Sequence, residues 1–110
     1  MRALRKEEQE LIAFMLIGKP HFNDYITNQL PHSIVEEMND GGMGSLKFLS
    51  VKDVKSIMKD EVARIDLRDI DGINLSITIN INTDGEIYEL DVFKGDSSPL
   101  KHFPVSPYIW

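Results

Sequence analysis

The stretch NINTDGEIYELD, residues 80–91, admits two readings, and the choice between them decides the fold. One is a calcium loop. That pattern asks for oxygen ligands at loop positions one, three and five, glycine at six and a bidentate Glu at twelve. Asn80, Asn82, Asp84, Gly85 and Asp91 fall on those positions, and Ile87 fits position eight. The neutral Asn80 and the shorter Asp91 cost the loop charge where affinity is set. The other reading is two strands joined by a turn. LSITI before the loop and YELDV after it are rich in β-branched residues and alternate in polarity, whereas a calcium loop needs helices on both sides. The flanks therefore favour the hairpin.

Register follows from the hairpin. A two-residue Asp84-Gly85 turn sets Ile81 opposite Tyr88, Ile79 opposite Leu90 and Ile77 opposite Val92. Working outward, a two-residue Asp71-Gly72 turn fails, because it sets Arg68 against Leu75. A three-residue turn, Ile70-Asp71-Gly72 with Gly72 left-handed, pairs Leu67 with Leu75, Ile65 with Ile77 and Ala63 with Ile79. A slip of one residue would turn every side chain to the wrong face, so the agreement of both turns on one apolar face is informative.

Upstream of the meander the period changes. Arg5 to Ile17 reads as a helix, with Glu7 and Glu8 early, where the helix dipole favours acids, and Gly18 and Pro20 after it. Its apolar second half, Leu11 to Ile17, needs cover on most sides, and the apolar face of the sheet supplies it. Asn23 to Leu30 reads as a short helix ended by Pro31. Ser33 to Leu49 carries a capping-box pair, Ser33 and Glu36, but also a turn, NDGG, that leads into SLKFL. A hairpin of Ile34–Met38 against Ser45–Leu49 is the favoured reading, with a helix as the alternative. Ser50 to Met58 has helical spacing. The expectation is an α+β fold: an N-terminal helix, plus one or two short ones, on an antiparallel meander of about five strands. Residues 1–30 form the helical part, 34–94 the sheet and 95–110 an irregular tail anchored by Leu100, Phe103, Tyr108 and Trp110, all in one domain.

Composition narrows the function. The chain has 110 residues, of which 42% are hydrophobic and 27% charged, ordinary globular usage. The absence of cysteine excludes disulfides, thiolate zinc sites and a cysteine nucleophile, and suits a cytoplasmic location. A net charge of −6 repels phosphate backbones, so no nucleic-acid partner is expected, while a protein partner with a basic surface is favoured. Leu11 to Ile17 is too short to span a membrane and has the wrong flanks for a signal peptide.

Candidate residues lie in two places. The register gathers Arg64, Thr78 and Asp91 in one row of the sheet's polar face, Asn80 and Glu89 in the next, and Arg68 beside Asn74 further along. In MNDGGMGSLKF, residues 38–48, Asp40, Gly41 and Gly42 could offer backbone amides to an anion, although the Gly-Lys-Ser/Thr ending of a phosphate loop is missing. Asp66, Asp69 and Asp71 read as a solvated acidic strand end, with weak cation binding as the alternative. His21, His32 and His102 are scattered near prolines with no metal-ligand spacing, and the serines have no triad spacing. No cofactor or metal is expected.

At MNDGGMGSLKF and at DGINLSITININTDGEIYELDVFKGDSSPL, residues 71–100, the chain resembles a small family of uncharacterised bacterial domains. The resemblance implies a short intracellular bacterial protein and brings no catalytic residues. The sequence reading is thus a non-enzymatic protein-binding module that uses the polar sheet face, the glycine-rich turn or both. One version is an immunity-type inhibitor of a basic partner. The alternative is a small-molecule binder or enzyme built on Arg64, Arg68, Glu89 and Asp91; a minor one is calcium binding at the 80–91 loop.

Overall fold

The computed structural model describes residues 1–49, 58–83 and 85–108. These residues form an α-helix and a second helical stretch on one antiparallel sheet. In chain order the elements are β1 (Arg2–Ala3), α1 (Lys6–Leu16), β2 (Ile34–Glu37), β3 (Leu46–Phe48), β4 (Met58–Arg68), β5 (Asn74–Asn82) and β6 (Ile87–Lys94). Strand order across the sheet is β1-β2-β3-β6-β5-β4. The expected count of about five strands is corrected to six, because Arg2-Ala3 pairs with Val35-Ile34 ahead of the helix. A two-residue strand carries no alternation and so leaves no periodic trace.

Both hairpin registers hold through their centres. Leu67 lies opposite Leu75, Ile65 opposite Ile77 and Ala63 opposite Ile79. The turn between them closes through Asp69 N–H to Ile73 O (3.0 Å) and Gly72 N–H to Asp69 O (2.9 Å), with Gly72 at φ +82°. Only glycine adopts that conformation without strain. In the second hairpin Ile77 meets Val92 and Ile79 meets Leu90. The turn itself differs from the expected two-residue form. Asn82 N–H reaches Glu86 O (2.9 Å) and Gly85 N–H reaches Asn82 O (3.0 Å), so the turn closes on Asn82 and Glu86, one residue longer than expected. Ile81 therefore faces Ile87, not Tyr88, and the ladder shifts by one residue before Asn80 meets Glu89. The longer turn and the bulge cancel, which is why the rest of the register is unchanged.

The β2–β3 hairpin is present, with Val35 opposite Phe48 and Glu37 opposite Leu46, and β3 docks on β6 through Leu46 and Leu90. The short helix expected over Ser50–Met58 falls, apart from Met58, outside the described residues; Met58 begins β4. The expected helix at Asn23–Leu30 is a tighter and looser mixture: a 3-10 turn at Pro20–Phe22, a π-helical turn at Tyr25–Gln29 and a second 3-10 turn at Leu30–His32.

One apolar layer joins these elements. Leu11, Ile12 and Leu16 of α1 are buried against Val35, Leu46, Leu75, Ile77, Ile79, Leu90 and Val92 of the sheet. The helix starts on a charged anchor. Glu8 is buried and accepts the Arg5 N–H (2.7 Å), and Arg2 grips both its oxygens (2.8 Å each). Arg2 also reaches Glu37 (3.2 Å), so one guanidinium ties β1, α1 and β2 together. Burial would raise the Glu8 carboxyl pKa, but Arg2 and the Arg5 amide pull it below the ordinary range. From the tail, Leu100, Phe103 and Tyr108 pack against the core as expected, and Leu100 N–H reaches Gly42 O (2.9 Å). Ile79 is fully buried at the centre of the layer. Ile79→Ala lowers stability by about 2–5 kcal/mol, read as a shift in the urea midpoint at unchanged slope.

Candidate functional site

Alternation that sends Ile77, Ile79, Leu90 and Val92 inward sends a row of polar residues outward. On this outer face Arg64, Thr78 and Asp91 stand side by side on β4, β5 and β6, and Asn80 stands beside Glu89. The structure therefore brings together five of the residues expected at a site. Asn80 donates to Glu89 (2.8 Å). Arg64 donates to Ser76 (2.9 Å) and to both oxygens of Glu61 (2.7 and 3.2 Å). Thr78 and Asn80 are buried at the middle of the face, while Arg64, Asp66, Arg68 and Phe93 are exposed around them. Lys47, opposite Glu89 on β3, lies with its ammonium 5.7 Å from the Tyr88 ring, a cation–π distance. Arg68 is at the far end of β4 opposite Asn74, two rows from Arg64.

Asp40, Gly41 and Gly42 are elsewhere, in the β2–β3 turn, and the turn supplies its own anion. Asp40 accepts the N–H groups of Met43 (3.1 Å) and Ser45 (3.0 Å). Burial raises its carboxyl pKa, but the Ser45 hydroxyl and these amides bring it below the ordinary value. The Asp40 carboxylate thus holds the Met43 and Ser45 amides of the turn, and the Asp40 N–H itself bonds to Met38 O. Ser45 connects this turn to the outer face. Its buried hydroxyl accepts Val92 N–H (2.9 Å) and faces Val92 O (3.2 Å) and Asp91 Oδ1 (3.3 Å). It takes the place of a ladder bond where β3 has not yet begun. These are bonds to backbone and to a carboxylate, the environment of a structural hydroxyl.

A charged cluster that sequence reasoning missed lies at the other end of β6. Lys94 is fully buried on the core face, and its ammonium donates to Asp69 (2.8 Å), Asp71 (2.7 Å) and Pro99 O (3.2 Å). Its three hydrogens have three partners. Asp69 also accepts the N–H groups of Ile70 (2.7 Å), Lys101 (2.7 Å) and His102 (3.1 Å). Asp69 is 4% exposed, so the solvated acidic strand end expected at Asp66, Asp69 and Asp71 is corrected at Asp69. The available signal was the β6 alternation, which puts Lys94 on the same face as Leu90 and Val92. Burial acts to raise the Asp69 pKa, but Lys94 and the Lys101 and Ile70 amides bring it down to about 2. The cluster pins the tail to the first hairpin turn, and all its donors are spent on that task.

Clefts occupy other surfaces. One of about 830 Å³ lies between Tyr25, His32, Phe48, Ile87 and Tyr88. Another of about 300 Å³ lies beside Arg2, Arg5, Glu37, Gly42 and His102. A third, of about 180 Å³, is lined by Arg68, Ile70 and His102, and a fourth, of about 200 Å³, by His21 and Gly85. None of these four is lined by Arg64, Thr78, Asn80, Glu89 or Asp91. The three histidines thus stay apart, and among the described residues no three His, Asp or Glu side chains converge as metal ligands. Both flanks of the 80–91 stretch are strands, as the hairpin reading requires; Asp84 lies outside the described residues. Among the described residues no helix is long and apolar enough to cross a membrane.

A family model for a domain of unknown function, DUF6984, matches residues 1–104. The chain belongs to this family. The match runs from β1 through the tail that Lys94 and Asp69 hold, so it takes in the outer face, the glycine-rich turn and the buried cluster. No curated protein matches the chain, and no solved structure does.

The Asp69 cluster gives the stability a pH dependence of definite sign. A carboxyl whose folded pKa lies near 2, below its ordinary 3.8, contributes stability above about pH 4 that is lost as the pH falls toward 2. Asp69→Asn leaves the Lys94 ammonium short of a charge and costs about 3–5 kcal/mol at neutral pH. Urea titrations from pH 7 to pH 2 show a lower midpoint for the variant and a shallower fall below pH 4. Limited trypsin digestion cuts its tail at Lys101 sooner.

Proposed function

We propose that the protein is a non-enzymatic protein-binding module and that the outer sheet face is its contact surface. The observation that carries this reading is the form of the face. Among the described residues it is a polar platform whose central side chains, Thr78 and Asn80, are buried among their neighbours, and none of the four clefts opens on it. A surface of that kind suits a broad protein contact better than a small molecule, which needs a concave site that buries most of its area. Hydrogen bonds within the face, such as Asn80 to Glu89 and Arg64 to Ser76, reduce the rotamer entropy lost on binding. The net charge of −6 favours a cationic partner through long-range steering. An immunity-type inhibitor that covers the basic active site of another protein is the concrete form this takes, in a cytoplasmic setting.

A second reading rests on the cleft of about 830 Å³. It combines apolar walls from Phe48, Ile87 and Tyr88 with polar groups from Asn28, Gln29 and His32, the make-up of a small-molecule site. This moves the small-molecule alternative away from Arg64, Arg68, Glu89 and Asp91.

Capture from host lysate with the immobilised protein distinguishes the readings. The expected result is retention of a basic protein by the wild type, with loss of at least about tenfold in affinity for Glu89→Lys/Asp91→Lys. Equal capture by that variant, with its fold verified by NMR, rejects the outer face. A small molecule that raises Tm for the wild type and not for Phe48→Trp transfers the function to the cleft.

A further inference from the structure

β4 is the last strand of the sheet, and its outer edge has no partner among the described strands. It is also the longest, Met58–Arg68. A long free edge presents unpaired N–H and C=O groups, which proteins block or use. Here the parity of the ladder says which groups are free. Asp69 N–H bonds to Ile73 O, so Asp69 and, by alternation, Leu67, Ile65 and Ala63 direct their backbone groups at β5. Arg64, Asp66 and Arg68 direct theirs outward.

The side chains of this edge carry a pattern. A bulge between Glu61 and Ala63 lets Glu61 pair with Asn80, while Arg64, Asp66 and Arg68 pair with Thr78, Ser76 and Asn74. Glu61, Arg64, Asp66 and Arg68 thus occupy four consecutive rows of the outer face, with charges minus, plus, minus, plus. All four are exposed. Such a series is complementary to itself when run antiparallel. A two-fold axis at Ile65 sets Glu61 against Arg68 of a second copy and Arg64 against Asp66, and the reverse. Axes at Arg64 or at Asp66 set like charges together, and an axis nearer either end leaves only two rows paired. The axis at Ile65 is also the one the backbone accepts. It makes Arg64 and Asp66 a hydrogen-bonded pair, both with outward groups, and makes Ile65 face Ile65 as a non-hydrogen-bonded pair. Ile65, on the core face, is only partly buried at this edge.

From this we infer that the protein forms a homodimer by antiparallel pairing of β4 with β4 of a second copy, about a two-fold axis at Ile65, giving one sheet continuous across both copies. The interface is isologous, so both edges are used at once and growth stops at the dimer. Edges guarded by charges of a single sign repel a copy; the alternation at β4 selects one register of it.

Sedimentation equilibrium over a concentration series up to millimolar tests this, and expects a monomer–dimer equilibrium. Arg64→Asp places like charges opposite each other twice and raises the dimer dissociation constant about tenfold. Asp66→Arg does the same. The double variant Arg64→Asp/Asp66→Arg restores opposite signs in every row and restores the dimer. Because the chain lacks cysteine, Ile65→Cys provides a test of register. Facing residues in a non-hydrogen-bonded pair lie about 4.5 Å apart, within reach of a disulfide. Mild oxidation converts Ile65→Cys to a covalent dimer, whereas Arg68→Cys, whose symmetry mates stand about 20 Å apart along the strands, stays monomeric on a non-reducing gel. A wild type that remains monomeric at millimolar concentration, a double variant no better than the single ones, or cross-linking of Arg68→Cys as readily as Ile65→Cys overturns the inference.

Discussion

The two-residue period of a strand, locked by register, is the constraint on which the rest of this molecule depends. Once Ile77 faces Val92 and Ile79 faces Leu90, every other side chain of β4, β5 and β6 is assigned to the core or to solvent. The inner face then needs a lid, and α1 provides Leu11, Ile12 and Leu16 for it. The outer face receives Thr78, Asn80, Glu89 and Asp91. The organised polar surface is therefore a by-product of the same register that builds the core, and neither can change without the other.

Two charged clusters close the structure at its margins, and both join segments distant in sequence. Arg2 holds Glu8 and Glu37, which fastens β1, α1 and β2. Lys94 holds Asp69 and Asp71 and, through the Asp69 oxygens, the backbone of Lys101 and His102. A buried ion pair of this kind contributes little net stability over an apolar substitute, but it penalises any arrangement that leaves one charge alone. The tail has no periodic structure, so a geometric constraint of this sort is what fixes its path. The glycine-rich turn is fixed likewise, by the Asp40 carboxylate from within and by Leu100 from outside.

The fold was legible from local chemistry to a large extent. Alternation revealed β4, β5 and β6, and the Gly72 turn set one register without error. The Asp84-Gly85 pair points to a turn one residue too short, with no consequence beyond Ile81, because the bulge restores the frame. β1 left no signal, being two residues long. The helical stretch after Pro20 was recognised, but not its irregular winding. At the candidate site, the grouping of Arg64, Thr78, Asn80, Glu89 and Asp91 was readable, since it needs only register. The self-occupied state of the Asp40 turn was not, because it depends on how a carboxylate folds back on its own loop.

What the sequence determined by itself was which residues share a face, since strand period and turn length are local properties. Only the tertiary structure decided which charges are buried. Alternation puts Lys94 on the core face at the end of β6, but its burial with Asp69 depends on the tail crossing the end of the sheet to add Pro99 O and two backbone amides. Only the tertiary structure, likewise, made β4 an edge. Strand order is set by long-range pairing of β3 with β6, a contact between segments more than forty residues apart that no local pattern encodes.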